Sequence, residues 1–268
     1  MVAGRARRRS VLVALVAATA GALGVVVAAV AGGQVTGAEL LPDLRQEPPS
    51  QVAVRRDGGK VVLVFRSAVG NVGQGPLIVN GRRARGQRLM TATQELVRAD
   101  GSVAQVPLST RLKYQPGGHN HWHFLGFNRF DLRSAGTGAR VGRSNKVGFC
   151  LGSRYQVDPP VPGTTAVPVI NHNCGRFLPG LMTMRMGIDV GYADDYAAFV
   201  EFQYVDITRV RPGRYLLVHR ADPDQRLLVG DRADDVAYAL IRLAAPARAG
   251  ALPGVKVLAT SVGTPPSM

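Results

Sequence analysis

Cysteine is scarce in this chain, with two in 268 residues. Cys150 and Cys174 are far from the close C-x-x-C spacing, which argues against a metal site built on the cysteine pair. Aromatic residues are also few, at 6%, and they are not interleaved with the basic ones. Outside the N-terminus there is no compact basic block; Arg82-Arg83-Ala84-Arg85 is the nearest to one. Those two shortages exclude nucleic acid as the natural partner. No long stretch shows 3.6-residue apolar periodicity, which argues against a helical bundle. Internal repeats are absent. Charge is moderate, with 19% charged against 46% hydrophobic residues, so the chain is no disordered polymer.

What is present begins with residues 1–33. Arg5, Arg7, Arg8 and Arg9 form a basic start, and an almost purely apolar run covers residues 11–31. Ala29-Val30-Ala31 then offers a small-residue cleavage site. This is the layout of a secretory signal, although an uncleaved apolar helix of about 20 residues also spans a bilayer. Both readings, signal peptide and membrane anchor, put the body outside the cytoplasm. Removing the four leader arginines from the formal +15 leaves +11. A basic surface of that kind suits contact with an anionic cell envelope. In an oxidising compartment the even cysteine pair reads as one disulfide, Cys150–Cys174.

Beyond the leader, residues 34–50 read as an extended lead-in. Apolar signal then comes in short bursts separated by glycine and proline. Residues 60–65 form a β-branched run. Residues 94–97 and 103–106 flank the hairpin-like turn Ala99-Asp100-Gly101. Further strands are predicted over 121–132, 146–151, 199–207, 215–218 and 236–243. The fold class expected is all-β, an antiparallel sandwich with long ordered loops, preceded by an N-terminal apolar export or anchor helix. Residues 34–245 form the expected domain, in which 152–190 make a long loop pinned by the disulfide. Residues 246–268 read as a mobile tail rich in alanine, proline and glycine.

The most informative stretch is Gly117-Gly118-His119-Asn120-His121-Trp122-His123. Alternate residues of a strand share a face, so the three imidazoles point the same way. Neighbours two apart stand about 6.5–7 Å from each other, but the outer pair of a straight strand is about 13 Å apart. For His119, His121 and His123 to hold one ion the backbone must bend, and the paired glycines allow it. A lone histidine here would be an ordinary core or surface residue; three alternate ones point to a metal. Imidazole suits copper, zinc, nickel and iron, and the spacing does not choose among them. A cupin needs a glutamate ligand a few residues on, where Leu125, Gly126 and Phe127 stand instead. A three-histidine zinc hydrolase stays open.

Taken together, the motifs resemble the lysyl oxidase family over residues 41–243. Leu41-Pro42-Asp43-Leu44 resembles its opening, and Val69-Gly70-Asn71-Val72-Gly73-Gln74-Gly75-Pro76-Leu77 an early strand and turn. His119-Asn120-His121-Trp122-His123 followed by Phe130-Asp131-Leu132 is similar to its copper-binding segment. Lys146-Val147-Gly148-Phe149-Cys150-Leu151, Asp194-Asp195-Tyr196, Gln203-Tyr204-Val205-Asp206-Ile207-Thr208 and Pro212-Gly213 follow in order.

The resemblance implies copper held by His119, His121 and His123. It also implies a lysine tyrosylquinone cofactor cross-linked from Lys146 and Tyr196, the two catalytic residues. Its activity would be oxidation of a primary amine, on lysine or a small molecule, by molecular oxygen to an aldehyde, with ammonia and hydrogen peroxide released. Read without the resemblance, Lys146 is a solvated residue at a strand start and Tyr196 a half-buried core aromatic. Arg129 stands where some members have a histidine suited to act as a base. Asp194, Asp195, Asp206 and His172 remain as unranked candidates for that role. The competing reading is a metal-binding envelope or adhesion module without redox chemistry.

Overall fold

A computed structural model of the chain describes residues 39–200 and 202–266. The expected leader, residues 1–33, lies outside the described residues. Among the described residues there is no helix, and none long and apolar enough to cross a membrane.

The chain runs through β1 (Glu39–Leu40), β2 (Leu44–Gln46), β3 (Ser50–Asp57), β4 (Lys60–Asn71), β5 (Leu77–Arg82) and β6 (Leu89–Arg98). Next come β7 (Val103–Gln115), β8 (His121–Leu125), β9 (Asn128–Ser134), β10 (Arg140–Arg143), β11 (Gly148–Phe149) and β12 (Tyr155–Gln156). The last are β13 (Thr183–Ile188), β14 (Tyr192–Tyr196), β15 (Tyr204–Asp206), β16 (Gly213–Ala221), β17 (Val236–Leu243) and β18 (Val255–Val262). They form three antiparallel sheets. One has the order β11-β8-β7-β6-β5-β13, with β1 also on β6; another is β10-β9-β16-β17-β18. The third is β12-β14-β4-β15, with β2 and β3 also paired to β4.

Burial follows from these positions. The central strand β4 is enclosed on both faces, and its sequence from Val62 to Val69 is accordingly apolar apart from Arg66 and Ser67. β7 alternates instead, with Leu108, Thr110 and Leu112 inward and their neighbours exposed, as a half-solvated antiparallel strand must. The sheets meet at an aromatic core. Phe65 of β4 packs edge-on against Phe130 of β9, with centroids 5.1 Å apart, and Phe130 against Phe149 of β11 at 6.0 Å. In the stretch that opens the domain, the chain passes so close to itself that only glycine fits. A Cβ on Gly75 would lie 2.0 Å from the Leu40 carbonyl oxygen.

The expected all-β antiparallel class is what the chain adopts, but several boundaries differ. The single strand expected over 121–132 is two, β8 and β9, because Gly126 turns the chain with φ +79°. The short strand expected over 146–151 contracts to the two residues of β11. The loop 152–190 carries β12 and β13. The tail expected to be mobile contains β18, whose residues pair with β17 from Val255↔Leu243 to Val262↔Ala237. Pairing to a sheet edge supplied the order that the local composition did not reveal.

Candidate active site

His121 and His123 are alternate residues of β8 and share a face, while Trp122 between them is buried on the other. His119 precedes the strand. The bend that lets it join the other two falls at Asn120, which has φ 49°, following Gly117 at φ 83°. The turn therefore comes two residues after the glycine pair. One ligand atom from each ring lies within 4.8 Å of the others, and the Nε2 atoms of His121 and His123 are 2.8 Å apart. Burial first, then the neighbouring His119, pushes His121 down to about 4. His123, more deeply buried and beside His121 and Lys146, falls to about 2. Both rings are thus neutral at ordinary pH, which is the ligating form. Three converging imidazoles, two of them half-buried, fit a transition-metal ion with an open coordination position.

Behind β8 the strand is held firmly. The Trp122 backbone N–H donates to the Cys174 carbonyl at 2.9 Å, and its indole N–H donates to Leu178 at 3.1 Å. Arg83 lies over the indole, 4.6 Å from its centroid. Gly148 of β11 makes room for the ligand itself, since a Cβ there would meet His123 Nδ1 at 2.5 Å.

Lys146 and Tyr196 line the same cavity as the three histidines, a space of about 520 Å³. The Lys146 ammonium nitrogen is 5.4 Å from the centre of the Tyr196 ring and 5.1 Å from that of Phe149. Lys146 is only 6% exposed, so it is no solvated surface lysine. Tyr196 is stacked edge-on to Phe149, centroids 5.2 Å apart. Its hydroxyl contacts the Asp194 carboxylate and lies 3.0 Å from the Cys150 carbonyl oxygen. Asp194 and Tyr196 share a face of β14. Asp194 in turn accepts from Arg154 Nε at 2.7 Å. Burial pushes Asp194 up to about 7, against the pull of Arg154 and the Tyr196 hydroxyl. Burial and the Asp194 charge push the Tyr196 phenol well above its usual value. The Cys150–Cys174 disulfide is formed, and it fixes the segment carrying the Cys150 carbonyl beside the phenol.

A sequence model of the lysyl oxidase family matches residues 79–241, a span that contains every one of these side chains. The chain belongs to the lysyl oxidase family. Among its curated relatives, protein-lysine 6-oxidase of Rattus norvegicus is 28% identical over 157 residues, which is 58% of this chain and 34% of that protein. The Sus scrofa protein-lysine 6-oxidase is 27% identical over the same length, covering 57% of itself. Lysyl oxidase homolog 3B of Danio rerio is 31% identical over 114 residues, 42% of this chain and 12% of its own. The chain thus matches about a third of the length of the rat relative.

Within this lysyl oxidase fold the four candidate bases separate. Asp194 touches Tyr196, whereas Asp195, which also lines the cavity, makes no contact with the phenol oxygen and pairs with Arg66 at 3.1 Å. Asp206 is near Lys60, 3.9 Å away, beside a different cavity. The His172 side chain is exposed and lines none of the walls around Tyr196. Arg129 is bound to Asp224 at 2.5 Å. Sequence reasoning missed Arg154, Arg176 and Phe199, all of which line the cavity. No local motif marks them, because the disulfide loop and the segment after β14 bring them in from a distance.

Proposed function

We propose that this chain is a copper-dependent amine oxidase that converts primary amines to aldehydes with release of ammonia and hydrogen peroxide. The amines are lysyl side chains or small molecules. One juxtaposition carries the reading: a buried lysine amine lies 5.4 Å from a buried tyrosine ring, in the same cavity as three convergent imidazoles. A metal site with a purely structural role has no use for that pair. His119, His121 and His123 would hold the ion. Copper with dioxygen supplies the oxidation that turns a phenol ring into a quinone, and the quinone supplies the carbonyl and electron sink for the amine.

The chain's own residues prepare this chemistry. Lys146 presents the nitrogen that links to the ring, and Phe149, packed against both partners, holds them in one orientation. Asp194 and the Cys150 carbonyl hold the phenol oxygen from the side away from solvent. The cavity rim carries Phe199, 79% exposed, as an apolar surface for the substrate's carbon skeleton. The formed disulfide supports work outside the cytoplasm, where such bonds persist.

Mass spectrometry of the copper-loaded, air-exposed protein tests the reading directly, through a covalent link between the peptides containing Lys146 and Tyr196. The variant Lys146→Arg should fold and bind copper but yield no peroxide with a primary amine. Undiminished peroxide production from that variant would remove the cofactor. Copper binding with neither link nor peroxide in the parent protein would leave a metal-binding module.

A further inference from the structure

We propose that Asp194 is the catalytic proton acceptor for the Tyr196 hydroxyl when the ring is oxidised; this rests on the lysine–tyrosine reading above. The Tyr196 oxygen is buried, so a proton lost from it has no direct route to water. Among the described residues two groups reach it by hydrogen bond: the Cys150 carbonyl and the Asp194 carboxylate. An amide carbonyl is no base at neutral pH. Asp194 is.

The arrangement also contains one hydroxyl hydrogen for two acceptors. With Asp194 protonated, Oδ2–H donates to the phenol oxygen and the phenol O–H donates to the Cys150 carbonyl, so every partner is satisfied. With Asp194 ionised, the phenol O–H turns to Oδ2. The proton therefore already has two seats along one short line. Oxidation removes electrons from the ring to the copper and dioxygen of the proposed reaction, and the O–H bond of Tyr196 breaks as the O–H bond on Asp194 Oδ2 forms. The phenol oxygen stays uncharged because the ring gives up an electron with the proton, the Asp194 carboxylate becomes a neutral acid, and the Arg154 guanidinium keeps the Asp195 carboxylate, 4.0 Å away, as its counter-ion. Arg154, at 2.7 Å from Oδ1, keeps the carboxylate available as an acceptor before that moment.

The charged groups around Asp194 are Arg154 from the disulfide loop, Tyr196 and Asp195 from β14, Arg66 from β4, and Lys146 ahead of β11. Arg66 is engaged by Asp195, and Lys146 sits on the Tyr196 ring. Arg154 is therefore the cation that sets the acidity of Asp194.

The experiment measures cofactor formation rather than turnover. The protein is loaded with copper without oxygen, then mixed with oxygenated buffers from roughly pH 5.5 to 8.5, and the 146–196 link is followed by mass. In the parent, the rate should rise with pH through about 7, where burial has put Asp194. Asp194→Asn, with its copper spectrum unchanged, should form the link about 100-fold more slowly and with no rise in this window. Should the asparagine variant fail to fold, Arg154→Gln decides: loss of the cation must move the midpoint to higher pH. An asparagine variant linking at the parental rate, or a glutamine variant with an unmoved midpoint, overturns the proposal while leaving the lysine–tyrosine cofactor intact. A parent protein that forms no link at any pH overturns that cofactor, and Asp194's role with it.

Discussion

His219, near the end of β16, should make the fold sensitive to acid in a way that can be isolated. Its ring is completely buried, packed between Phe65 and Phe130 at centroid distances of 4.7 and 4.5 Å. Neither ring nitrogen has a hydrogen-bond partner among the described residues. Burial holds its pKa well below 6.5. A depressed folded pKa means that below pH 6.5 the unfolded chain takes up a proton that the folded one refuses. The stability tied to this residue is therefore complete above about pH 6.5 and falls on acidification by roughly 1.4 kcal/mol per pH unit. At pH 4.5, two units below, the loss is about 2.7 kcal/mol. His121 and His123 shift in the same direction, and carboxylates add their own terms, so the parent's acid sensitivity alone does not isolate His219. The comparison that does is with His219→Leu, which keeps the volume and removes the titration. Urea unfolding of both metal-free proteins at about pH 7 and pH 4.5, followed by circular dichroism, should show the variant gaining about 2.7 kcal/mol on the parent between the two conditions. A difference between the proteins that is the same at both pH values would refute the argument.

Three further outcomes follow from the site and its supports. His123→Ala removes one of three donors, and calorimetric copper affinity should fall by more than the ~100-fold typical of changes in the outer shell. Gly148→Ala removes no ligand, yet its new Cβ would press on His123 Nδ1 from 2.5 Å; affinity should drop by about 10-fold with secondary structure unchanged. Gly75→Ala drives a methyl into the Leu40 carbonyl, costing about 1–3 kcal/mol, which a melting curve should report as a Tm lower by several degrees.

Much of the fold was legible where the signal is local. The run over 236–243 coincides with β17. The turn at Ala99-Asp100-Gly101 is there as well, with Gly101 at φ +81° and the Ser102 N–H bonded to Asp100. What escaped depends on distant partners. β18, Val-Lys-Val-Leu-Ala-Thr-Ser-Val, lies mostly exposed after a stretch rich in alanine, proline and glycine, and it is held by pairing with β17. Gly126 lies inside the single strand expected over 121–132, and its positive φ redirects the chain from one sheet to another. The histidine cluster was visible from alternation alone, including the need for a bend, although Asn120 rather than a glycine carries the left-handed residue next to His119. Lys146 and Tyr196 lie fifty residues apart and were joined only by a family likeness. The choice among four candidate bases needed coordinates, because hydrogen-bond contact with one phenol oxygen has no counterpart in spacing. Arg154 was beyond reach altogether, being one arginine among many until the disulfide loop brings it to Asp194.

The chain contains a single tryptophan, and the fold puts it between two of the three histidines, facing the opposite way. Its emission is therefore a built-in optical gauge of what sits on the imidazoles, free of any background from a second indole. A paramagnetic ion such as copper(II) drains that light and a closed-shell ion such as zinc does not. Filling of the three-histidine site, and the identity of the occupant, can thus be followed in unlabelled protein from the first drop of metal.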